Sequence, residues 1–426
     1  MIVYLICYAA SWIFARFGLY YLSGAALFLA AGYLYVYDYR RSGNLIHLRG
    51  LFSCFWVGGQ GAACLKLSKL QTDWALQTWI CFFLALVGFW ITFEVLDRLM
   101  GGNERFTMNR YRQRSTVRPL FFCIVGLTVI SAAAFVTEAA VLGFIPVLVR
   151  GVPHAYSAFH MTGLHYVTVS CVLIPAMTVL YFEQGGSRSG RKNGLIVLCT
   201  LVSIAIPILC VSRFQLVFAV ILAVFTFCAS QKNVSPWLFV AAVVALIPCY
   251  VLLTVARSHD VTYLNGIFEM KNSRMPIFVS QPYIYIANNY ENFDCLVKAL
   301  PAHTWGIRML FPVWALTGLK FLYPYLVSFP IYVDKTELTT VTLIYDAYYD
   351  FGIIGVLVFA CILGAVCFFL VEKLHEMKNP MGYLFYGQMA IYMMLSFFTT
   401  WFSNPTTWFY FLVTAVLTFY CSVSRR

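Results

Sequence analysis

The chain has 426 residues, of which 61% are hydrophobic and only 11% are charged. Soluble domains carry roughly 25% charged residues, so a soluble core of this size could not bury so much apolar surface. The net charge of +12 does not indicate a nucleic-acid partner, because the basic residues lack the clustering of a nucleic-acid groove. The composition predicts an all-α polytopic membrane protein, with residues 1–426 forming a single integral membrane domain.

Apolar runs separated by charged or Gly/Pro-marked breaks predict about 12 transmembrane helices, since a span needs about 20 mostly apolar residues. The first run lacks a basic segment before it and a cleavage site after it, so it is interpreted as a membrane helix rather than a signal peptide. The runs lie at 2–15, 18–37, 51–65, 74–96, 119–137, 163–182, 194–211, 214–230, 236–255, 352–371, 381–399 and 405–421.

Basic residues favour one side of the predicted bundle. The alternate loops and the C-terminal tail on that side hold 17 of the 29 Lys and Arg residues. Because cytoplasmic loops carry an excess of Lys and Arg, we expect both termini in the cytoplasm. The loops are 38–49, 97–118, 183–193, 231–235 and 372–380, with the tail 425–426.

The opposite side carries one long extracytoplasmic segment, 256–351, which is rich in Tyr, Trp, Asn and Pro. Its half-apolar part, 309–327, is broken by prolines and a glycine, and we expect it to form a re-entrant or interfacial helix. No cytoplasmic loop is long enough for a nucleotide-binding βαβ unit. An enzyme of this topology would take its substrates from the membrane or from outside, and a lipid-linked substrate fits best.

Four arginines are candidates for binding a diphosphate. Arg213 lies in a tight turn between two apolar runs, where an unpaired charge is costly. It is either an interfacial arginine that reaches water or a bidentate phosphate ligand. Arg150, Arg257 and Arg308 lie near the same predicted side. Each one alone is typical of a membrane-flanking cation, but together they could neutralise a diphosphate.

Candidate bases and sugar-binding groups also lie on this side. His303 could accept a proton from a sugar hydroxyl, and Asp350 is the alternative among the acidic residues. Interfacial histidines and solvated loop carboxylates are common, so ordinary surface roles stay open for both. Aromatic residues could stack on sugar rings or form an interfacial belt. The aromatic candidates are Tyr290, Trp305, Tyr345 and Tyr349.

Four stretches, in this order, resemble the Wzy-type oligosaccharide repeat unit polymerases, a family that includes O-antigen and capsular polysaccharide polymerases. They are VLGFIPVLVRG with the following GLHYV, the Ser212–Arg213 turn, QPYIYIANNYENFDCLVKALPAHTWGIRMLFPVWAL, and TTVTLIYDAYYDFGIIGVLVFACILGAV. The resemblance covers about residues 119–370. It implies a multi-helix fold like that of lipid-dependent membrane glycosyltransferases of the GT-C-like class.

The resemblance also implies a function. The expected enzyme transfers a growing glycan from undecaprenyl diphosphate to the next lipid-linked repeat unit, at the outer side of a bacterial plasma membrane. Arg213, Arg257, Arg150 and Arg308 would bind the diphosphate, and His303 or Asp350 would accept the proton. No metal or other cofactor is expected. The expected partners are the bilayer, the lipid-linked oligosaccharide, a chain-length regulator and a flippase. An O-antigen-ligase-like transferase and a lipid-linked oligosaccharide flippase or transporter remain alternatives.

Overall fold

The computed structural model describes residues 1–100, 117–149, 155–231, 234–235, 237, 241, 244, 261–272, 274–374 and 377–423. Within these ranges the chain is helical and contains no β-strand; one isolated bridge joins Ser68 to Met270. The prediction of an all-α chain is confirmed over this part of the protein.

The described ranges contain 17 α-helices. They are α1 Ile2–Arg16, α2 Tyr20–Ser42, α3 Leu48–Cys64, α4 Leu76–Met100, α5 Val117–Leu142, α6 Ala155–Ala158, α7 Leu164–Val169, α8 Ile174–Glu183, α9 Gly190–Leu209, α10 Arg213–Ser230, α11 Val261–Phe268, α12 Ile277–Ala299, α13 Phe311–Leu316, α14 Leu319–Leu322, α15 Tyr345–Leu374, α16 Met381–Met394 and α17 Pro405–Val423.

Seven helical segments in the described ranges are long and apolar enough to cross a membrane, so the chain is a multi-pass membrane protein. The other predicted runs that are described form helices α1, α2, α3 and α16, which are shorter or more polar. The predicted run 236–255 lies almost entirely outside the described residues, and the count of about 12 spans stays a prediction. The seven segments are α4, α5, Leu164–Glu183 (which includes α7 and α8), α9, α10, α15 and α17.

The described residues group into two compact units. Unit 1 is drawn from Met1–Phe106, Asp260–Glu372 and Tyr392–Thr407. Unit 2 is drawn from Thr107–His259, Lys373–Ile391 and Trp408–Arg426. Each unit is therefore built from segments that are distant in sequence.

Helices α1 to α4 run up and down in unit 1, and their polar residues mark two opposite ends. At the first end, called here the Arg49 end, the Arg49 guanidinium lies between the carboxylates of Asp38 and Glu94. At the second, called here the Trp74 end, the Trp74 indole N–H donates to Glu291 Oε1 at 2.7 Å. The loop between α2 and α3 therefore lies at one end of this unit, and the loop between α3 and α4 lies at the other end, as the predicted topology requires.

Helix α12 lies at the Trp74 end and carries its polar side chains inward. Asn292 donates its amide to the carbonyls of Leu338 and Thr340, both at 2.7 Å. The Asp294 carboxylate accepts hydrogen bonds from the Ala75 N–H and the Thr78 hydroxyl. Because buried backbone groups need hydrogen-bond partners, this polar face provides partners for the backbone of the surrounding loops and holds those loops in place.

The half-apolar part of the long segment forms two short helices, α13 and α14, and a 3₁₀ turn at Pro324–Leu326. The break between the helices falls at Gly318, which has a φ of +77°. Phe321 and Leu322 are exposed by 66% and 73%. These helices are too short to cross a bilayer, and the prediction of an interfacial or re-entrant element stays a prediction.

Candidate functional site

The centre of the candidate site is the turn 303–309, which packs against the first turns of α15. The Asp350 carboxylate accepts hydrogen bonds from the N–H groups of Arg308 at 3.2 Å and Met309 at 2.7 Å, and from the Thr304 hydroxyl. Trp305 donates its N–H to the Asp350 carbonyl at 3.2 Å. Asp350 is fully buried. Its carboxylate therefore holds the turn in place, although the sequence suggested it as a proton acceptor.

Arg308 projects from this turn into an aromatic and acidic environment. Its Nε donates to the carboxylate of Asp346, and its guanidinium lies over the rings of Tyr349 and Tyr345, at 4.6 Å and 5.3 Å from their centroids. Its side chain is 15% exposed. Burial lowers the pKa of Arg308, but the charge and the hydrogen bond of Asp346, together with Tyr345 and Tyr349, outweigh it, so the pKa is raised and the side chain stays cationic.

The guanidinium borders a cavity of about 330 Å³, called here the Arg308 cavity. Within the described part of the chain, no acceptor is bonded to either Nη nitrogen of Arg308, so both nitrogens remain available to a ligand in the cavity. The cavity combines polar and apolar walls, which suits an amphiphilic ligand. Its polar lining comprises Arg308, Asp346, Thr400, Ser403 and Asn404, and its apolar lining comprises Phe311, Leu326, Val327, Phe329, Ile331 and Pro405.

His303 lies at the start of the same turn and is exposed. Its Nδ1 is 3.2 Å from the Tyr349 carbonyl oxygen. A carbonyl can only accept, so Nδ1 carries the proton and Nε2 of the neutral ring is the acceptor. The ring packs against Gly352, where α15 is interrupted by a φ of +62°. A Cβ atom at Gly352 would lie 2.9 Å from His303 Nε2, so this position needs glycine for space and for backbone conformation.

The four aromatic candidates differ in how accessible they are. Trp305 is 76% exposed and could contact a sugar. Tyr349 and Tyr345 are buried beneath Arg308, and the Tyr345 hydroxyl bonds both the N–H and the carbonyl of Tyr332. Tyr290 is fully buried, and its hydroxyl donates to the Trp56 carbonyl at 2.8 Å. Tyr290 is thus a core residue at the Trp74 end, and we do not include it in the site.

The structure describes only two of the four arginines predicted to bind the diphosphate, and these two belong to different units. Arg308 belongs to unit 1, whereas Arg213 belongs to unit 2, where it begins α10. Arg213 is half-buried and follows Val211, whose φ is +54°. Arg150 and Arg257 lie outside the described residues. The prediction that these arginines share one chamber therefore stays a prediction.

Unit 2 contains a buried polar cluster whose main residue, Glu138, the sequence had not singled out as a site. Glu138 is fully buried in α5. Its carboxylate accepts the Thr168 hydroxyl at 2.7 Å and the Met161 N–H at 3.1 Å, and it lies 3.2 Å from His165 Nδ1. The ring of His160 is 5.1 Å from that of His165. An acidic residue near the end of an apolar run, followed by two histidines, is the signal that could have indicated this cluster.

Comparison of the chain with protein-family models, with curated proteins and with solved structures finds no match. Within the described residues, no group of three or more His, Cys, Asp or Glu side chains is placed to hold a metal ion.

Proposed function

We propose that this chain is a membrane glycosyltransferase that polymerises oligosaccharide repeat units carried on undecaprenyl diphosphate. The observation that supports it best is the Arg308 cavity, where a half-buried cation whose two Nη groups make no hydrogen bond among the described residues borders hydroxyl-bearing and apolar walls. A lipid-linked diphosphate glycan has the same three chemical parts: an anionic diphosphate, sugar hydroxyls and an apolar chain. The order of sequence motifs also supports this class of enzyme.

In the proposed reaction, a hydroxyl oxygen of the acceptor repeat unit attacks the anomeric carbon of the donor glycan. The bond from that carbon to the diphosphate oxygen breaks, and undecaprenyl diphosphate leaves with the bonding electron pair. Arg308 stabilises the negative charge that develops on the leaving oxygen, a term that is often large in catalysis. Asp346 fixes the guanidinium through Nε, so the two Nη groups can form the bidentate fork that phosphate favours.

His303 is the proposed proton acceptor, because its Nδ1–H donates to a carbonyl and leaves Nε2 unprotonated. Its exposure gives an acceptor sugar access to the ring. Asp350 is proposed to position the turn that carries His303 and Arg308, because its carboxylate already accepts three hydrogen bonds. Trp305 is the proposed sugar-stacking residue, since most of its indole is exposed.

The proposed setting is the extracytoplasmic side of a bacterial plasma membrane, where lipid-linked repeat units would be delivered by a flippase. A chain-length regulator is the further proposed partner. Arg213, Arg150 and Arg257 remain proposed phosphate ligands on sequence grounds.

The test is the glycan made by vesicles that contain the purified protein and lipid-linked repeat units. A ladder of lengths is the expected product, and in cells a deletion should accumulate a single repeat unit on the lipid. A finished glycan transferred once to another acceptor would indicate a ligase instead. Movement of the substrate across the vesicle membrane without any new glycosidic bond would indicate a transporter.

The same vesicles test the sequence-based role of Arg213. We expect Arg213→Ala to insert normally and to lose the long products. Wild-type chain lengths in this variant would remove Arg213 from the mechanism and leave the Arg308 cavity as the proposed site.

A further inference from the structure

A second cavity at the Trp74 end of unit 1 shares no lining residue with the Arg308 cavity. It lies where α1 ends, α2 begins and the loop after α3 passes between them. Its volume is about 80 Å³, several times the space that one water molecule needs. Its lining includes Trp12, Arg16, Tyr20, Lys66 and Asp73.

Two buried donors at this cavity make no hydrogen bond within the described part of the chain, and one of them, Lys66, has only the longer ion-pair contacts to Asp73 at 3.5 Å and Glu291 at 4.0 Å. Lys66 is 6% exposed, and its Nζ makes no hydrogen bond within the described part of the chain. The Trp12 indole N–H is buried and equally without a partner there. A buried donor that makes no hydrogen bond lowers stability, and more so when it is charged. Both groups can therefore donate a hydrogen bond to an oxygen atom of a ligand in the cavity that they line.

The backbone holds Lys66 in this position against its own preference. Its φ is +48°, in the left-handed region that side chains other than glycine seldom adopt. The next residue, Leu67, donates its N–H to the Tyr283 hydroxyl at 2.9 Å and accepts the Lys271 N–H at 2.9 Å. Strain that the surroundings impose in this way is concentrated at ligand-binding and active sites.

The charge around the cavity favours an anion. Arg16 and Lys66 contribute two positive charges. The Asp73 carboxylate lies 3.5 Å from Lys66 Nζ as an ion pair and also accepts the Tyr20 hydroxyl at 3.0 Å. Glu291 lies 4.0 Å from Lys66; burial raises the pKa of Glu291 to about 7, although Lys66 nearby lowers it. Near neutral pH, the two carboxylates together therefore do not balance the two cations.

The residues beside the cavity indicate where the anion comes from. Phe17 and Leu19 follow Arg16 and are 76% and 47% exposed, and Tyr21 follows Tyr20 and is 70% exposed. Arginine and lysine next to tryptophan, tyrosine and exposed apolar side chains are typical of the membrane interface, where head groups meet acyl chains. A free anion would make no use of this apolar surface, whereas a lipid would cover it.

We propose that this cavity binds the phosphate group of a membrane lipid, with Lys66, Arg16 and the Trp12 N–H as donors and the acyl chains against Phe17 and Leu19. The site is independent of the proposed glycosyl transfer. It would anchor one lipid between the end of α1 and the loop after α3.

The test uses full-length, delipidated protein in detergent, titrated by calorimetry with three probes: dihexanoyl phosphatidylglycerol, dihexanoylglycerol without the phosphate, and inorganic phosphate. We expect saturable binding of the phospholipid, weaker binding of inorganic phosphate, and no binding of the diacylglycerol.

Lys66→Met keeps the alkyl chain and removes the ammonium group. It should weaken phospholipid binding by at least about tenfold, since a hydrogen bond to a charged group is worth about 1.5–3 kcal/mol. Lys69→Met removes an exposed charge from the same loop and should leave the affinity within about twofold.

Wild-type affinity in Lys66→Met, or equal affinity for the diacylglycerol, would overturn the proposal. Inorganic phosphate binding as tightly as the phospholipid would overturn the assignment to a lipid. If Lys66→Met does not fold, Trp12→Phe keeps a ring and removes only the N–H, and its affinity must then fall by several-fold while its melting temperature stays near that of the wild type.

Discussion

Unit 1 contains two arginines with little exposure, Arg49 at 1% and Arg308 at 15%, which have similar surroundings but differ in how many of their guanidinium nitrogens are hydrogen-bonded. Arg49 lies over the rings of Trp90 and Phe93, at 4.2 Å and 4.6 Å. Arg308 lies over two tyrosine rings at similar distances. Each arginine pairs with a buried aspartate. Burial, aromatic contact and an acidic partner are thus common to both.

The difference lies in the remaining nitrogens. Arg49 is fully buried, and each of its three nitrogens donates, Nε and Nη2 to Asp38 at 3.0 Å and 2.6 Å, and Nη1 to Glu94 at 3.0 Å. Arg308 uses Nε alone among the described residues and borders a cavity. A saturated arginine can only hold the fold, whereas an arginine with a free fork beside a cavity can bind an anion. The buried charge alone does not separate a structural site from a functional one.

The largest expected effect is on folding, at Arg49. Arg49→Met leaves Asp38 and Glu94 without their buried partner, and breaking a buried ion pair costs about 3–5 kcal/mol. We expect the free energy of unfolding in detergent to fall by that amount, or the protein not to accumulate. Arg98→Met is the matched control, because Arg98 contacts the same Glu94 from a side chain that is 77% exposed, and its effect should stay within about 0.5 kcal/mol. Equal effects of the two changes would show that burial does not explain the contribution of Arg49 to the free energy of unfolding.

The next effect is on activity, at Arg308. Lysine keeps the positive charge beside Asp346 but loses the planar fork, so Arg308→Lys should lower the rate of polymer formation about 100-fold, as for loss of one transition-state donor. The melting temperature should change by no more than about 3 °C. The rate is measured from product length against time in vesicles with lipid-linked repeat units.

The control for this change is Arg274→Lys, at an exposed arginine of the same long segment, and it should leave the rate unchanged. If Arg308→Lys polymerises at the wild-type rate, Arg308 has only a structural role, as Arg49 does, and the cavity is not the catalytic site.

The sequence predicted the described spanning helices because hydropathy is a local property of about 20 residues. It did not predict helix α12, which lies within the long segment 256–351 and carries Asn288, Glu291 and Asn292. In the structure these three are buried, because they bond loops that are far away in the chain. A helical spacing of three and four residues between them was the signal.

The two arginines show the same limit. In the sequence, Arg49 counted only as one of the charges that set topology, and nothing local reveals that α2 and α4 bring Asp38 and Glu94 to it. Arg308 was a candidate, but its pairing with Asp346, 38 residues away, depends on the turn 303–309 folding onto α15. Sequence reasoning found residue types suited to phosphate binding, while the choice among them required the tertiary contacts.

The smallest expected effect tests whether the free fork of Arg308 depends on the turn that carries it. Gly352→Ala places a Cβ 2.9 Å from His303 Nε2 at a φ of +62°. With a ψ of −146° this backbone conformation is essentially restricted to glycine, and it costs a residue with a Cβ about 1–3 kcal/mol. We expect the His303 turn to shift and the polymerisation rate to fall about tenfold, the effect of about 1.4 kcal/mol on a barrier.

The control is Gly126→Ala, in α5 with nothing within 4 Å of the added atom. It should keep the wild-type rate and fold at least as stably, since alanine favours a helix over glycine. If the two alanine variants are equally active, the contact between His303 and α15 does not set the position of Arg308, because a displaced turn would move the guanidinium away from Asp346 and the cavity.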